Sequence, residues 1–151
     1  MKKKMKTEQV LNAYGLLGQA KIANLSDDDK IKVWKIARAM KPTVSKFEDA
    51  RQDAVKKFIP EEMEERLQKA QKYEQDKKAG RKTEISEEAY HQTLDDIKKG
   101  EELVGKALED ILKKEAELNF EPITDDSFAL LIAENGWSIS KAMTLEFICK
   151  N

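Results

Sequence analysis

The chain has 151 residues, of which 38% are charged and 40% hydrophobic, and its formal net charge is −1. This length fits one ordinary domain, and the balanced charge gives no overall attraction to nucleic acid or anionic lipid. The single cysteine, Cys149, excludes an intrachain disulfide and favours a reducing compartment. Few glycine and proline residues predict long continuous helices.

The first 24 residues predict a flexible basic arm followed by a helix. Residues 1–6 form the lysine-rich arm, and residues 7–24 carry the helix, because Val10, Tyr14 and Leu17 follow helical spacing. Polar residues interrupt this segment, which argues against a secretory signal peptide. No later stretch is long and apolar enough to span a membrane. We therefore expect a cytoplasmic protein that has no membrane partner.

A first long helix is predicted over residues 26–79. Ser26, followed by three aspartates, favours a helix start, because acidic side chains there interact with free backbone amides. Pro42 lies in step with the apolar pattern and predicts a kink, whereas Pro60 predicts a break and a restart. Apolar or small side chains return at steps of four and three residues along this segment: Val33, Ala37, Met40, Val44, Phe47, Ala54 and Phe58.

A second long helix is predicted over residues 86–118, after a turn at 80–85. Gly100 and Gly105 each cost this helix about 1 kcal/mol relative to alanine, and Gly105 is also a candidate for the close approach of another backbone. The two stripes together predict an antiparallel helical hairpin with a coiled-coil-like seam. The second stripe consists of Tyr90, Leu94, Ile97, Val104, Leu108, Ile111 and Leu118.

The C-terminal segment, residues 119–151, is predicted as an apolar tail with two short helices. A short extended piece is expected at residues 119–123, because Pro122 ends any preceding helix. The bulky apolar side chains of the tail must be buried against the rest of the chain. The fold class expected for residues 1–151 is therefore all-α (mainly α), as one helical domain.

Charged residues interrupt both stripes, Arg51 in the first and Glu101 and Glu115 in the second. Glu101 has no partner in the hairpin register and is expected to be solvated. If the turn centres near residue 82, Arg51 and Glu115 lie close to each other. A buried ion pair would explain both interruptions, since an unpaired charge in an apolar seam is costly. The other interpretation places both side chains at the edge of the seam, with their charged ends in water.

The motifs that carry chemistry are weak in this sequence. Glu88 and His91 have the Glu-x-x-His spacing of carboxylate-bridged di-iron bundles, but such sites need a second histidine and this chain has one. Cys149 is expected to pack as a small hydrophobe. The sequence contains no phosphate-binding loop or nucleophile elbow. We therefore assign no catalytic, cofactor-binding or metal-binding residue and expect no cofactor and no enzymatic activity.

The function expected from the sequence is protein–protein interaction or assembly, through a protein partner or self-association of helices. The alternative is a nucleic-acid-associated regulator that uses the N-terminal lysine cluster. The absence of a compact basic face and of an aromatic stacking platform argues against nucleic acid. The structural and interaction candidates are Arg51, Glu115, Trp34, Phe47, Phe58, Trp137 and Phe147.

Several runs resemble a family of short helical proteins of unknown function encoded by phages and prophages. The runs are Lys35–Ala37, Phe47–Arg51 in the same helix, the charged helix that closes near Leu118, and Leu145–Ile148 at the end of the chain. The resemblance implies expression inside an infected or lysogenic bacterial cell, from a gene near virion assembly genes. It implies no catalytic residue.

Overall fold

The computed structural model describes residues 1–149, which form two compact units where one domain was expected. Unit 1 combines Met1–Glu48 with the chain from Ile111 onward, and unit 2 is Asp49–Asp110. Within the described residues, no helix combines the length and apolarity needed to cross a membrane. The elements in chain order are β1 (Lys2–Lys6), α1 (Thr7–Gly18), α2 (Asp27–Phe58), α3 (Met63–Lys78), α4 (Glu87–Lys113), β2 (Glu115–Asn119), α5 (Asp125–Asn135), α6 (Ile139–Leu145) and a 3₁₀ helix (Glu146–Ile148).

The mainly-α class is confirmed, and the predicted long helices are present with changed ends. The Ser26 hydroxyl accepts a hydrogen bond from the Asp29 amide at 3.2 Å, so Ser26 caps α2 as predicted. α2 then continues through Pro42 without ending. Proline removes one amide donor, and because Pro42 is exposed, the carbonyl that loses its partner can bind water. At Pro60 the helix does end, and α3 begins at Met63.

A two-stranded antiparallel sheet replaces two predicted features. The N-terminal lysines form β1 where a flexible arm was expected, and the second long helix stops at Lys113, with β2 covering the segment assigned to its last turn. The strands pair in a register that places Lys4 opposite Glu117 and Met5 opposite Ala116. The sequence from residue 115 to 120 alternates polar and apolar side chains, a period of two that favours a strand over a helix.

The main hydrophobic core lies in unit 1 and includes the C-terminal tail. The expected burial holds for part of the tail, since Leu131, Leu145 and Ile148 are inaccessible to solvent, whereas Ile139 is 81% exposed. On α2, Ile36 is fully buried and Ala37 only partly, which rotates the buried stripe slightly from the predicted one. The core residues are Met5, Val10, Ala13, Leu17, Leu25, Val33, Ile36, Met40, Leu118, Phe120, Ile123, Phe128, Leu131, Leu145, Phe147, Ile148 and Cys149.

The two tail helices have side-chain caps. Thr124 accepts a hydrogen bond from the Ser127 amide at the start of α5, and Ser138 accepts one from the Lys141 amide at the start of α6. Gly136 ends α5 with φ of 58°, a left-handed conformation that glycine adopts without steric cost. α5 therefore spans Asp125–Asn135, whereas α6 spans only Ile139–Leu145 and is followed by the 3₁₀ helix.

Unit 2 is a helical hairpin in which α3 and α4 run antiparallel. The rings of Tyr73 and Tyr90 stack with centroids 4.5 Å apart, and the Arg66 guanidinium lies 2.8 Å from the Asp96 carboxylate. Both pairs are close to the register expected for a hairpin whose turn centres near residue 82. Pairing across the hairpin therefore follows from the position of the turn, as expected for two helices joined by a short connection.

Of the two glycines of α4, Gly100 and not Gly105 lies against another part of the backbone, so the prediction for Gly105 is wrong. A Cβ on Gly100 would lie 3.1 Å from the Phe58 carbonyl oxygen and 3.1 Å from Ile59 Cγ1, whereas a Cβ on Gly105 would meet nothing within 4 Å. Gly100 is therefore the position where another backbone approaches closely. Without a side chain at residue 100, the end of α2 can pack directly against α4.

Candidate interaction surfaces

A groove in unit 1 runs beside β2 and has a volume of about 500 Å³. Phe47, half-buried on α2, lines it together with Pro42 and Ile111. On the other side it is lined by residues 115–117 of β2, and two basic residues, Lys46 and Lys114, also line it. Consecutive strand side chains point to opposite faces, so three consecutive residues line one groove when it follows the edge of the strand. We call this feature the β2 groove.

Hydrogen bonds at the two ends of the sheet show which backbone groups pair between β1 and β2. The Met1 amino group donates to the Phe120 carbonyl at 2.8 Å, and the Phe120 amide donates to the Met1 carbonyl at 3.0 Å. At the other end, the Thr7 amide donates to the Lys114 carbonyl at 2.9 Å. In an antiparallel sheet such hydrogen-bonded pairs alternate with pairs that are not hydrogen-bonded.

This alternation leaves one edge of β2 open. Ala116 and Leu118 direct their backbone groups toward β1, so the amides and carbonyls of Glu115 and Glu117 point away from it. The sheet has the order β1-β2, and within the described residues no strand pairs with this second edge. Backbone amides and carbonyls along an open edge can pair with an added strand.

The outer face of the sheet carries alternating charge. Lys4 lies opposite Glu117 and Lys6 opposite Glu115, and the Lys2 ammonium is 3.7 Å from the Glu117 carboxylate. Cross-strand pairs of opposite charge stabilise a sheet modestly. The lysine cluster predicted as a solvated arm is therefore interleaved with carboxylates, which lowers its attraction for phosphate groups.

A second surface lies on α6. Ile139 is 81% exposed and Met143, one helical turn later, is 62% exposed. Both line a pocket of about 310 Å³ that also contacts Phe128, Ile132 and Trp137. Trp137, a predicted interaction residue, is half-buried here, and its ring centroid lies 6.4 Å from that of Phe128. We call Trp137, Ile139 and Met143 the α6 surface.

Trp34 is the most exposed of the predicted aromatic residues, at 55%. The Arg38 guanidinium lies 5.0 Å from the centre of its ring, one turn along α2, in the geometry of a cation–π contact. Ile31, on the preceding turn, is also exposed. This part of α2 therefore presents a small surface of apolar, aromatic and cationic side chains to solvent. The opposite side of the helix buries Val33 and Ile36.

The remaining aromatic candidates are less available. Phe147 is buried in the core of unit 1 and packs edge-on against Phe120, with centroids 6.0 Å apart. Phe58, in unit 2, is half-buried, and the Lys57 ammonium lies 5.2 Å from its ring. Phe147, named as a structural or interaction candidate, therefore belongs to the core of unit 1.

The predicted Arg51–Glu115 pair stays a prediction. Arg51 is an exposed residue of α2 in unit 2. Glu115 belongs to unit 1, begins β2 and lies opposite Lys6. The premise that Glu115 continues a helical stripe is wrong, since α4 has ended two residues earlier.

Residues with catalytic potential occupy unremarkable settings. His91 is exposed, and its Nε2 lies 3.7 Å from Glu87 Oε1. Burial, with a smaller effect of the Asp125 and Glu146 carboxylates, raises the pKa of the Cys149 thiol to about 11. Near neutral pH this thiol is protonated, and a protonated thiol is a poor nucleophile. Cys149 packs as a small hydrophobe in the core.

At the end of unit 2, a polar cluster holds α3 and α4 together. The Tyr90 hydroxyl donates to the Glu74 carboxylate, and this hydrogen bond raises the pKa of Tyr90 above its usual value. The Lys77 ammonium contacts the Tyr73 hydroxyl at 3.2 Å, which raises the pKa of Lys77. The Tyr90–Glu74 hydrogen bond joins α4 to α3, whereas the Lys77–Tyr73 contact lies within α3, so the cluster has a structural role.

Comparison with known proteins gives no relative. No family model matches the chain, and no curated protein or solved structure shows significant similarity to it.

Two features of these surfaces were missed in the sequence. The open edge of β2 was assigned to a helix, although the alternation of polar and apolar side chains signals a strand. Ile139 and Met143 were counted among buried tail residues or left unassigned. Their spacing of four residues places them on one helix face, but only the packing of α6 shows that this face is exposed.

Proposed function

We propose that this protein is a non-enzymatic interaction or assembly protein that binds a partner protein through the α6 surface of unit 1. The observation that carries the proposal is the exposure of Ile139 and Met143 beside the pocket that Trp137 lines. Among the large apolar side chains in the described part of the chain, Ile139 and Met143 are the two most exposed to water.

The chemistry of this surface suits protein recognition. Aromatic residues and methionine are enriched in the buried centres of interfaces, where they contribute much of the binding energy. Methionine is also flexible enough to fit an irregular partner. Trp137 is held against Phe128, so it can act as a fixed anchor, while Ile139 and Met143 extend from α6 on the outside of the pocket.

A matched pair of variants tests the proposal. In the first, Ile139→Asp and Met143→Asp are combined, which places charge on the α6 surface without removing a core side chain. The control, Leu103→Asp, changes a 44% exposed leucine on α4 in unit 2. Affinity capture with quantitative mass spectrometry, in the cell that produces the protein, should give a partner that the first variant loses and the control retains. If both variants capture the same proteins as the wild type, the proposal is wrong.

The origin from a phage or other mobile element is part of this proposal and rests on the sequence resemblance alone. Genes for virion components or assembly factors beside the coding sequence would support it. A neighbourhood of unrelated metabolic genes, retained in several genomes, would contradict it. The capture experiment does not depend on this point, because the α6 surface can bind a partner of any origin.

A further inference from the structure

We propose that the open edge of β2 binds an extended segment of a partner protein, as a third strand, and that this segment alternates basic and apolar residues. The inference concerns a surface separate from α6 and holds whether or not the α6 surface binds a partner. It rests on the direction of the backbone groups of Glu115 and Glu117, on the β2 groove beside them, and on the negative charge of these two side chains, which lie next to the open edge.

The backbone supplies the affinity. Glu115 and Glu117 each direct one amide and one carbonyl toward the open edge. This follows because Met1 and Phe120 form a hydrogen-bonded pair, and hydrogen-bonded and non-hydrogen-bonded pairs alternate along the two strands. Strand addition to such an edge is a common mode of peptide recognition, in which main-chain hydrogen bonds bind the segment and side chains select it.

The side chains of β2 define which segment fits. On the outer face, an added strand would place its side chains beside Glu115 and Glu117, and lysine or arginine there forms favourable cross-strand pairs. On the inner face, the residue between them would lie beside Ala116, next to the apolar part of the groove formed by Phe47 and Pro42. The expected core of the segment is therefore basic, apolar, basic.

The chain itself contains this pattern. On the paired side of β2, Lys4, Met5 and Lys6 lie opposite Glu117, Ala116 and Glu115. β1 therefore shows that β2 accepts a basic, apolar, basic neighbour.

A second copy of the chain is a poorer occupant of the same edge. Symmetric pairing of β2 with β2 of another copy would place glutamates beside glutamates, and like charges directly opposite each other destabilise a sheet. A basic segment removes this repulsion. We therefore assign the edge to a different protein and treat self-association as an outcome of the test.

The test uses a capped, fluorescently labelled peptide, Thr-Lys-Val-Lys-Val-Lys-Thr, and the full-length protein. Fluorescence anisotropy should show saturable binding. A peptide with glutamate in place of each lysine should bind at least about tenfold more weakly, because it replaces favourable cross-strand pairs with like-charge pairs. On the protein, the combined change of Glu115→Gln and Glu117→Gln should weaken binding severalfold. The matched control, Glu121→Gln, changes an exposed glutamate outside β2 and should not.

Backbone methylation distinguishes strand addition from simple charge attraction. Methyl groups on the lysine amides of the peptide, or in a second peptide on the valine amides, block alternate edges of the added strand. One of these peptides should lose binding and the other should keep it. Which of the two loses binding shows whether the added strand runs parallel or antiparallel to β2. Equal binding of both methylated peptides, or no loss with the glutamate peptide, would overturn the proposal.

Two controls test whether the β2 edge acts independently of the α6 surface and whether it binds a second copy of the chain. The variant with Ile139→Asp and Met143→Asp should bind the peptide as the wild type does, so failure at one surface is not failure at the other. Sedimentation of the protein alone tests the second copy. If Glu115→Gln with Glu117→Gln alters a dimer and no peptide binds, the edge serves self-association and the proposal is wrong.

Discussion

Replacing each of the two α4 glycines with alanine should change the stability of unit 2 in opposite directions. Alanine has the higher helix propensity by about 1 kcal/mol, so Gly105→Ala, where the new Cβ meets open space, should stabilise the protein by about 0.5–1 kcal/mol. Gly100→Ala gains the same propensity but forces a Cβ to within 3.1 Å of both Phe58 O and Ile59 Cγ1.

The contact at Gly100 is difficult to relieve. One of the two crowded atoms is a backbone oxygen at the end of α2, which cannot move without shifting the chain. The other, Ile59 Cγ1, belongs to a β-branched side chain whose χ1 rotation is restricted, so moving it also costs free energy. Overpacking of this kind costs about 1–3 kcal/mol, which exceeds the gain in helix propensity over most of that range. We therefore expect Gly100→Ala to lower the free energy of unfolding by up to about 2 kcal/mol.

Urea unfolding followed by far-ultraviolet circular dichroism measures both changes, with the slope of the transition as a check on two-state behaviour. The double variant with Ile59→Ala removes one of the crowded atoms. It should recover part of the loss caused by Gly100→Ala, which a double-mutant cycle reports as a coupling energy. If Gly100→Ala stabilises the protein as much as Gly105→Ala does, the assigned close approach of α2 and α4 is wrong.

Three further predictions follow from local geometry. Cys149, whose pKa is raised to about 11 by burial, should react with a disulfide reagent near neutral pH much more slowly in the native protein than in urea, and equal rates would contradict its place in the core. The Arg66 guanidinium, and then Gln92, lower the pKa of Asp96 below its usual 3.8. The stability that Asp96 contributes is therefore present above pH 3.8 and lost as pH falls through the lowered value. Consequently the difference in melting temperature between the wild type and Asp96→Asn should shrink in acid, and a difference independent of pH would refute the ion pair. Finally, Thr124→Ala removes the acceptor of the Ser127 amide and should lower the free energy of unfolding by about 1 kcal/mol, measured by urea unfolding, whereas an unchanged midpoint would show that the cap contributes nothing.

The sequence selected the interaction candidates by residue type, and the structure places them in different settings. Exposed Trp34 and half-buried Trp137 were both identified, because large aromatic side chains are conspicuous in a charged sequence. The same reasoning selected Phe147, which is buried in the core. Residue type alone does not distinguish an aromatic side chain that faces a partner from one that faces the core, since both are apolar.

What the sequence by itself determined is local. Helical spacing, the Ser26 cap and the break at Pro60 specify helices because each acts between residues that are close in the chain. Only the tertiary structure decided that residues 2–6 and 115–119 form a sheet, because strands gain their hydrogen bonds from distant partners. The same holds for Gly100, since the contact that requires a glycine there comes from a different helix.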